Sequence, residues 1–290
     1  MAVMVDFRVR PAVSADQRAI ADLIHFEAHV HRHLDWRDPL DWIGAPPYLV
    51  IDWNGRLVAA LACPPDPPQV AWIRLFVSSD RVGAAHKLPL QEAWSILWEA
   101  AQADLGREIK FVAVISLQDW FRKILKASGF ALREQIVMLE RKGEAPGDGA
   151  PPLTIKLRRM MTYDLPAVAE IDADAFGPLW QNSFSALNLA YSQAMLATVA
   201  EWEQRLIAYQ FSTQNPLGAH LARLAVRPEA QGHGVGRALV SDLLQTLARR
   251  GASRLTVNTQ EENASSLSLY KKLGFIKTGD RFQVFEFQVR

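Results

Sequence analysis

In the second half of the chain the hydrophobic pattern switches repeatedly between strand and helix periods. Residues near 154–161 alternate as a strand does, and Leu165, Val168, Ala169 and Ile171 then recur at helical spacing after Asp164. A second helix is predicted over Phe184–Met195. Leu196–Trp202 and Leu206–Ser212 read as strands joined by the short turn Glu203-Gln-Arg205, and His220–Val226 reads as a third strand. After a Gly-rich loop, Ala238, Leu239, Leu243, Leu244 and Leu247 mark one face of a helix that Gly251 stops. A strand over Arg254–Thr259, a helix over Ala264–Leu273 ended by Gly274, and a β segment reaching Val289 complete the order. An antiparallel start followed by a strand–helix–strand crossover gives an α/β fold with a mixed, mostly antiparallel sheet flanked by helices.

The first half repeats this plan. Phe7-Arg-Val-Arg…Asp16…Ala19-Ile-Ala-Asp-Leu23 matches Ile155-Lys-Leu-Arg…Asp164…Ala167-Val-Ala-Glu-Ile171 at a constant offset, and Lys126-Ala-Ser-Gly-Phe130 echoes Lys272-Leu-Gly-Phe275. A repeat of this size indicates duplication of a whole domain. Between the copies, eight of the ten residues of Gly143-Glu-Ala-Pro-Gly-Asp-Gly-Ala-Pro-Pro152 are Gly, Ala or Pro, the composition of a linker. The expected domains are therefore 1–142 and 153–290, joined by 143–152. A length of 290 residues suits two domains.

Composition narrows the function classes. With 49% hydrophobic residues and a net charge of +1, the chain reads as soluble and globular, with no electrostatic reason to seek nucleic acid or an anionic membrane. No apolar run is long enough for a membrane helix, and Met1–Pro11, with Asp6, Arg8 and Arg10, does not resemble a signal peptide. A cytoplasmic monomer or homodimer is expected. Cys63 stands alone at the end of an apolar run and reads as a small core residue. His25, His29, His31 and His33 crowd nine residues, and His25 and His29 have the i, i+4 spacing of a metal pair. With Arg32 among them, a solvated helix end is the expected reading, and no metal is expected.

The candidate chemistry lies in Val226-Arg-Pro-Glu-Ala-Gln-Gly-His-Gly-Val-Gly-Arg237, between a strand and the first turn of a helix. Unpaired N–H groups and the helix dipole there can receive an anion, and glycines let backbone approach it closely. No Gly-Lys-[Ser/Thr] follows, so this is not a P-loop. About 30 residues on comes Asn263-Ala-Ser-Ser-Leu-Ser-Leu-Tyr270-Lys-Lys-Leu-Gly-Phe275. Together the two segments closely resemble the acyl-CoA site of the GNAT superfamily of N-acetyltransferases, a resemblance that covers the whole second half.

The resemblance implies two tandem GNAT-like domains and acetyl-CoA as co-substrate, with an amine as acceptor. Leu224, Ala225 and Val226 would present backbone to pantetheine. Gln231, Gly232, His233, Gly234, Val235, Gly236 and Arg237 would form the pyrophosphate loop, although His233 reads equally as an exposed loop residue. Asn263 and Ser266 would line the CoA arm, and Tyr270 would protonate the departing thiolate unless it is a core aromatic. His220, Glu261 and Glu262 are candidates for a general base, while Asn258 stands on the strand where some relatives carry a base glutamate. Deprotonation through water is an equal alternative. Trp180, Asn182 and Phe184 would contact the acceptor, or else simply pack the loop. In the first half Ala85 and Lys87 replace two loop glycines, Leu125 replaces the tyrosine and Gln118 the asparagine, so that copy reads as degenerate. A non-catalytic acyl-CoA-binding protein and a ligand-free scaffold are the alternative readings.

Overall fold

A computed structural model of the chain describes residues 7–79, 88–143 and 155–289. Two compact units divide it, one of Met1–Arg133 with Gln283–Arg290 and one of Glu134–Phe282. The first contains β1 (Phe7–Pro11), α1 (Gln17–Phe26), β2 (His29–Arg32), β3 (Tyr48–Trp53), β4 (Arg56–Ala62), β5 (Val70–Trp72), β6 (Leu75–Ser78), α2 (Leu90–Asp104), β7 (Phe111–Ser116) and α3 (Asp119–Ala127). Its antiparallel sheet has the order β1-β3-β4-β6-β2, and β5 pairs in parallel with β7.

The second unit draws on β8 (Ala131–Lys142), β9 (Lys156–Arg159), α4 (Leu165–Ala175), α5 (Phe184–Gln193), β10 (Leu196–Trp202), β11 (Arg205–Asn215), β12 (Gly218–Val226), α6 (Val235–Arg249), β13 (Arg254–Gln260), α7 (Ala264–Lys272) and β14 (Ile276–Gln288). Its strand order is β8-β13-β12-β11-β10-β9, with β12 and β13 parallel and the other neighbours antiparallel. The fold is thus α/β with a mixed, mostly antiparallel sheet in each unit. Leu243, Leu244 and Leu247 of α6 and Leu273 at the end of α7 bury one sheet face together with Leu221, Leu255 and Val257. On the other face Tyr209 bonds Asp172 of α4, as the alternation of side chains along β11 requires.

The units interleave in sequence. Residues 136–142 of β8 join the second unit by pairing with β13, and residues 283–288 of β14 join the first by pairing with β7. Boundaries at 142 and 153 separate the sequence halves but not the compact units. Local period shows that a strand exists; which strand it pairs with depends on tertiary contacts. The linker residues 144–152, along with Ala85 and Lys87, lie outside the described residues.

The sequence repeat is matched by a structural one. Asp16 closes the turn before α1, accepting the Val13 N–H at 2.9 Å and a two-pronged bond from Arg10 at 2.7 and 2.8 Å. Asp164 does the same before α4, with Met161 N–H at 2.8 Å and Arg158 at 2.7 and 2.8 Å. In both, the arginine bond holds the carboxyl below its ordinary pKa. Asp164→Ala should therefore cost about 1–3 kcal/mol, since it removes two bonds to Arg158, which keeps Glu201, and leaves the Met161 N–H without its acceptor. Urea unfolding near neutral pH measures it. A lowered carboxyl pKa stabilises the fold fully above pH about 4, and the difference between wild type and variant should shrink as pH falls below that.

Candidate functional site

In the second unit β12 and β13 part company early. They pair only over Ala219–Leu221 and Leu255–Val257, although β12 continues to Val226 and β13 to Gln260. The cause is local. In the β11–β12 ladder Phe211 faces Arg223 and Ser212 faces Leu221, so Ala222 is the extra residue of a bulge, a feature that bends and twists a strand. From Leu224 to Val226, β12 keeps its β11 partner and turns its other backbone edge toward an opening. Leu224 and Val226 are partly exposed and Ala225 is buried.

The Gly-rich segment ends beside this opening. Gly234 caps α6 at φ +80°, a left-handed conformation, and no side chain bonds the first turn of α6. By contrast, Ser183 caps α5 and Asn263 caps α7. The first helical bond runs from Ala238 N–H to Gly234 at 3.0 Å, so the amides of Val235, Gly236 and Arg237 lie ahead of the ladder and point outward. A Cβ on Gly236 would stand 3.4 Å from Leu269, 3.8 Å from Val226 and 3.9 Å from Leu224. The start of α6, the end of β12 and α7 therefore converge where the glycine leaves room. This combination of a free strand edge, an uncapped helix start and a missing Cβ fits an extended acyl carrier ending in a pyrophosphate.

Other predicted residues have more specific places. Gln231 donates its amide to the Val226 carbonyl at 3.0 Å and so closes the loop. Val235 contributes backbone only, because its side chain packs with Ala230 and Leu239. Gly232, His233 and Arg237 are exposed. Nδ1 of His233 lies 2.9 Å from the Gln231 carbonyl. Since a carbonyl only accepts, Nδ1 carries the proton, and Nε2 can donate to a phosphate only in the imidazolium. Asn263 accepts the Ser266 N–H at 3.0 Å, the helix cap that starts α7.

Tyr270 packs its ring among Val257, Leu273 and Phe275, and burial raises its pKa. Its hydroxyl therefore stays protonated, a hydrogen-bond donor but a weaker acid than a free tyrosine. His220 sits 2.9 Å from Thr256 Oγ1, and burial lowers its pKa, leaving the imidazole neutral at pH 7. Glu261 is held by Lys277 at 3.5 Å and Arg281 at 3.2 Å, and Glu262 is exposed.

The acceptor side contains residues that the pattern did not flag. Asp172 is fully buried and receives Arg223 through Nε at 2.8 Å and Nη2 at 2.6 Å, together with the Tyr209 hydroxyl and the Asn182 N–H at 2.7 Å. Arg223 also donates to the Trp180 carbonyl at 2.6 Å, and its guanidinium lies 3.6 Å from the centre of the Phe176 ring. Trp180 donates its indole N–H to Glu134 at 2.9 Å. Trp180 and Asn182 are thus brought together in one fastened loop, whereas Phe184 starts α5 exposed. A charged residue on each of two apolar elements, Asp172 in Ile171-Asp-Ala and Arg223 in Leu221-Ala-Arg-Leu, was the available signal.

Fold and sequence comparison agree on the class. The model of the Acetyltransferase (GNAT) family matches residues 165–275. The chain belongs to this family, whose general reaction is acetyl-CoA-dependent N-acetyl transfer. It is 31% identical over 114 residues to the [ribosomal protein bS18]-alanine N-acetyltransferase of Escherichia coli (strain K12), covering 39% of this chain and 76% of that protein. Among solved structures, a GCN5-related N-acetyltransferase from Kribbella flavida superimposes with a TM-score of 0.69 at 14% identity, over 99% of this chain and 72% of that one. A tandem GNAT protein from the clavulanic acid biosynthesis pathway gives 0.63 at 16% identity, over 98% of this chain and 99% of that one. At such identities the structures speak for the tandem fold alone.

The first unit differs at the corresponding strand edge. Arg74-Leu-Phe-Val77 repeats Arg223-Leu-Ala-Val226, and β5 leaves β7 just before it. Here, however, β2 pairs along the freed edge, with Val30 facing Val77, His31 facing Phe76 and Arg32 facing Leu75. The chain itself fills the opening. Gln118 precedes α3 without capping it, and Leu125 is buried.

The histidines are accordingly not a solvated helix end. Only His25 lies on α1; His29 and His31 lie on β2, and His33 follows it. His31 is fully buried, donates Nε2–H to the Ile73 carbonyl at 3.2 Å and packs 4.5 Å from Phe121. Their alternate spacing is the strand period, which the i, i+4 pair obscured. Among the described residues no group of three or more His, Cys, Asp or Glu is placed to hold a metal ion. Cys63 is buried, and burial raises its thiol pKa to about 12. No helix of the described residues is long and apolar enough to cross a membrane.

Burial pushes the His31 imidazole down to about 4. Its neutral form is the one folded, so its contribution is intact above pH about 6.5 and lost as pH falls through 4. Unfolding free energy should drop by roughly 3 kcal/mol more in wild type than in His31→Leu between pH 7 and 4. Denaturant titration at both pH values measures this, and equal drops would show that His31 is not the buried base.

Proposed function

We propose that the second unit transfers an acetyl group from acetyl-CoA directly to an amine, and that the chain holds one such site. The observation that carries this reading is the free β12 edge from Leu224 to Val226 beside the uncapped start of α6. Backbone of β12 hydrogen-bonds the pantetheine arm, the amides of 235–237 and the loop glycines receive the pyrophosphate, and Gly236 lets the first turn of α6 lie close to Leu224 and Leu269. The amine lone pair attacks the thioester carbonyl carbon, forming a C–N bond and a tetrahedral intermediate. Collapse breaks the C–S bond, and the thiolate takes its proton from the Tyr270 hydroxyl, which solvent then restores.

The amine must also lose a proton. Asn258 cannot accept one, and Glu261 is occupied by two cations. His220 is neutral but has Nδ1 tied to Thr256. Water therefore carries the proton away, with His220 Nε2 as the protein group best suited to receive it. The same shortage of bases favours a second reading, an acyl-CoA-binding protein without turnover. In the first unit β2 takes the edge that acyl-CoA would need, which supports a single site per chain.

Calorimetric titration should give one acetyl-CoA per chain. Gly234→Val, which forces a β-branched residue to φ +80°, should weaken binding about tenfold or more. A second acetyl-CoA site, or an unchanged dissociation constant in this variant, would refute the assignment. Thiol release with a panel of peptides, polyamines and amino acids separates the two readings: tight binding with no turnover favours the binding protein. Tyr270→Phe should lower kcat by about a hundredfold with acetyl-CoA affinity kept, and an unaltered kcat would remove the general-acid role.

A further inference from the structure

The α4–α5 loop is anchored at two points on different strands. At one end Arg223 of β12 binds Asp172 and the Trp180 carbonyl, while Asp172 holds the Asn182 N–H. At the other the Trp180 indole N–H reaches the Glu134 carboxylate on β8 at 2.9 Å. In the sheet β13 lies between β12 and β8. Trp180 therefore spans β13, on the face opposite α6 and α7.

The register shows what lies along that span. Met138 faces Asn258, Ile136 faces Gln260, and the Glu261 N–H bonds the Gln135 carbonyl at 2.8 Å. Leu255 and Val257 pack with the α6–α7 cluster, so Asn258 projects to the Trp180 side. Asn258 stands one residue past the last β12–β13 pair, at the mouth of the opening. Its Oδ1 is buried with no hydrogen-bond partner. A buried acceptor left unpaired is costly, and an N–H of a bound acceptor would satisfy it.

We infer that Glu134 is a positioning residue for the acceptor amine: through Trp180 it fixes the loop Phe176–Ser183 as a preformed wall beside Asn258. The inference rests on the acyltransferase reading. A carboxylate receiving an indole N–H is a charge-assisted bond that sets the ring's orientation. The loop is also tied at the Asp172–Arg223 end and at Gln181, whose amide bonds the Ala173 and Phe176 carbonyls, and the Glu134 bond adds an anchor on β8. Pre-organisation of this kind strengthens binding by lowering the ordering cost when the acceptor docks. Glu134 is encoded in the first sequence half and lies at the start of the second compact unit. The strand exchange thus places part of the acceptor wall outside the segment that carries the acyl-CoA motifs.

The test compares Glu134→Ala, Glu134→Gln and Trp180→Phe in the full-length chain, using an amine that wild type acetylates. Glu134→Ala and Trp180→Phe should each raise the amine KM about tenfold. Acetyl-CoA affinity should stay within twofold of wild type, and Glu134→Gln, which keeps an acceptor oxygen, should recover most of the loss. Hydrogen exchange in the peptide covering 176–183 should quicken in Glu134→Ala and not in Glu134→Gln. Trp180→Phe retains the ring and serves if Glu134→Ala does not fold. An unchanged amine KM, or an equal loss of acetyl-CoA affinity, overturns the positioning role while the acyltransferase reading stands. Acetyl-CoA binding without turnover of any amine by wild type overturns both.

Discussion

β12 and β13 are paired at three positions, and the proposed acyl-CoA site of the second unit depends on their separation beyond Leu221. A strand that leaves its neighbour inside a sheet exposes backbone N–H and C=O groups that must find other partners. The bulge at Ala222 bends β12 away, and the segment beyond it ends next to the start of α6. Two sets of unpaired backbone donors are thereby brought to one place, one along a strand edge and one at a helix start. An elongated ligand with amides at one end and phosphates at the other matches both. On the proposed reading side-chain specificity is needed little here, consistent with a loop of glycines and exposed residues.

The first unit shows the same constraint met differently. It repeats the Arg–Asp clamp before its first helix and the Arg-Leu-x-Val strand, and β5 likewise leaves β7. Its freed edge is covered by β2 of the same chain. Covering an edge with a strand satisfies the backbone without a ligand. It also brings His31 into a dry interior against Phe121, where its ring is held neutral. A duplicated fold has thus kept its framework and changed what fills the gap.

Much of this arrangement was legible in local sequence. α6 and α7, the Gly-rich loop and the repeat from Arg10 to Arg158 followed from period, turn chemistry and constant offset. The features that were not legible depend on long-range partners. The pairing of residues 136–142 of β8 with β13 depends on tertiary contacts between distant parts of the chain. His29, His31 and His33 carry a strand period, but His25 four residues before His29 imitates a helix face. Glu134 has no distinguishing neighbourhood in sequence, and its importance comes from an indole 46 residues away.

The buried pair Asp172–Arg223 shows why such contacts persist. Desolvating two charges costs about as much as their attraction returns, and a well-packed apolar pair would often be as stable. Stability alone therefore does not explain a fully buried aspartate that accepts from Arg223, Tyr209 and Asn182 at once. An apolar pair, however, has no preferred direction. Directed bonds from three residues to one carboxylate, with the Trp180 carbonyl on the same guanidinium, fix the α4–α5 loop over β12. On the proposed reading that geometry has to hold an amine within bonding distance of a thioester carbonyl, where a displacement of about 1 Å costs roughly a hundredfold in rate. The directionality of the ion pair, more than its energy, is what the site requires.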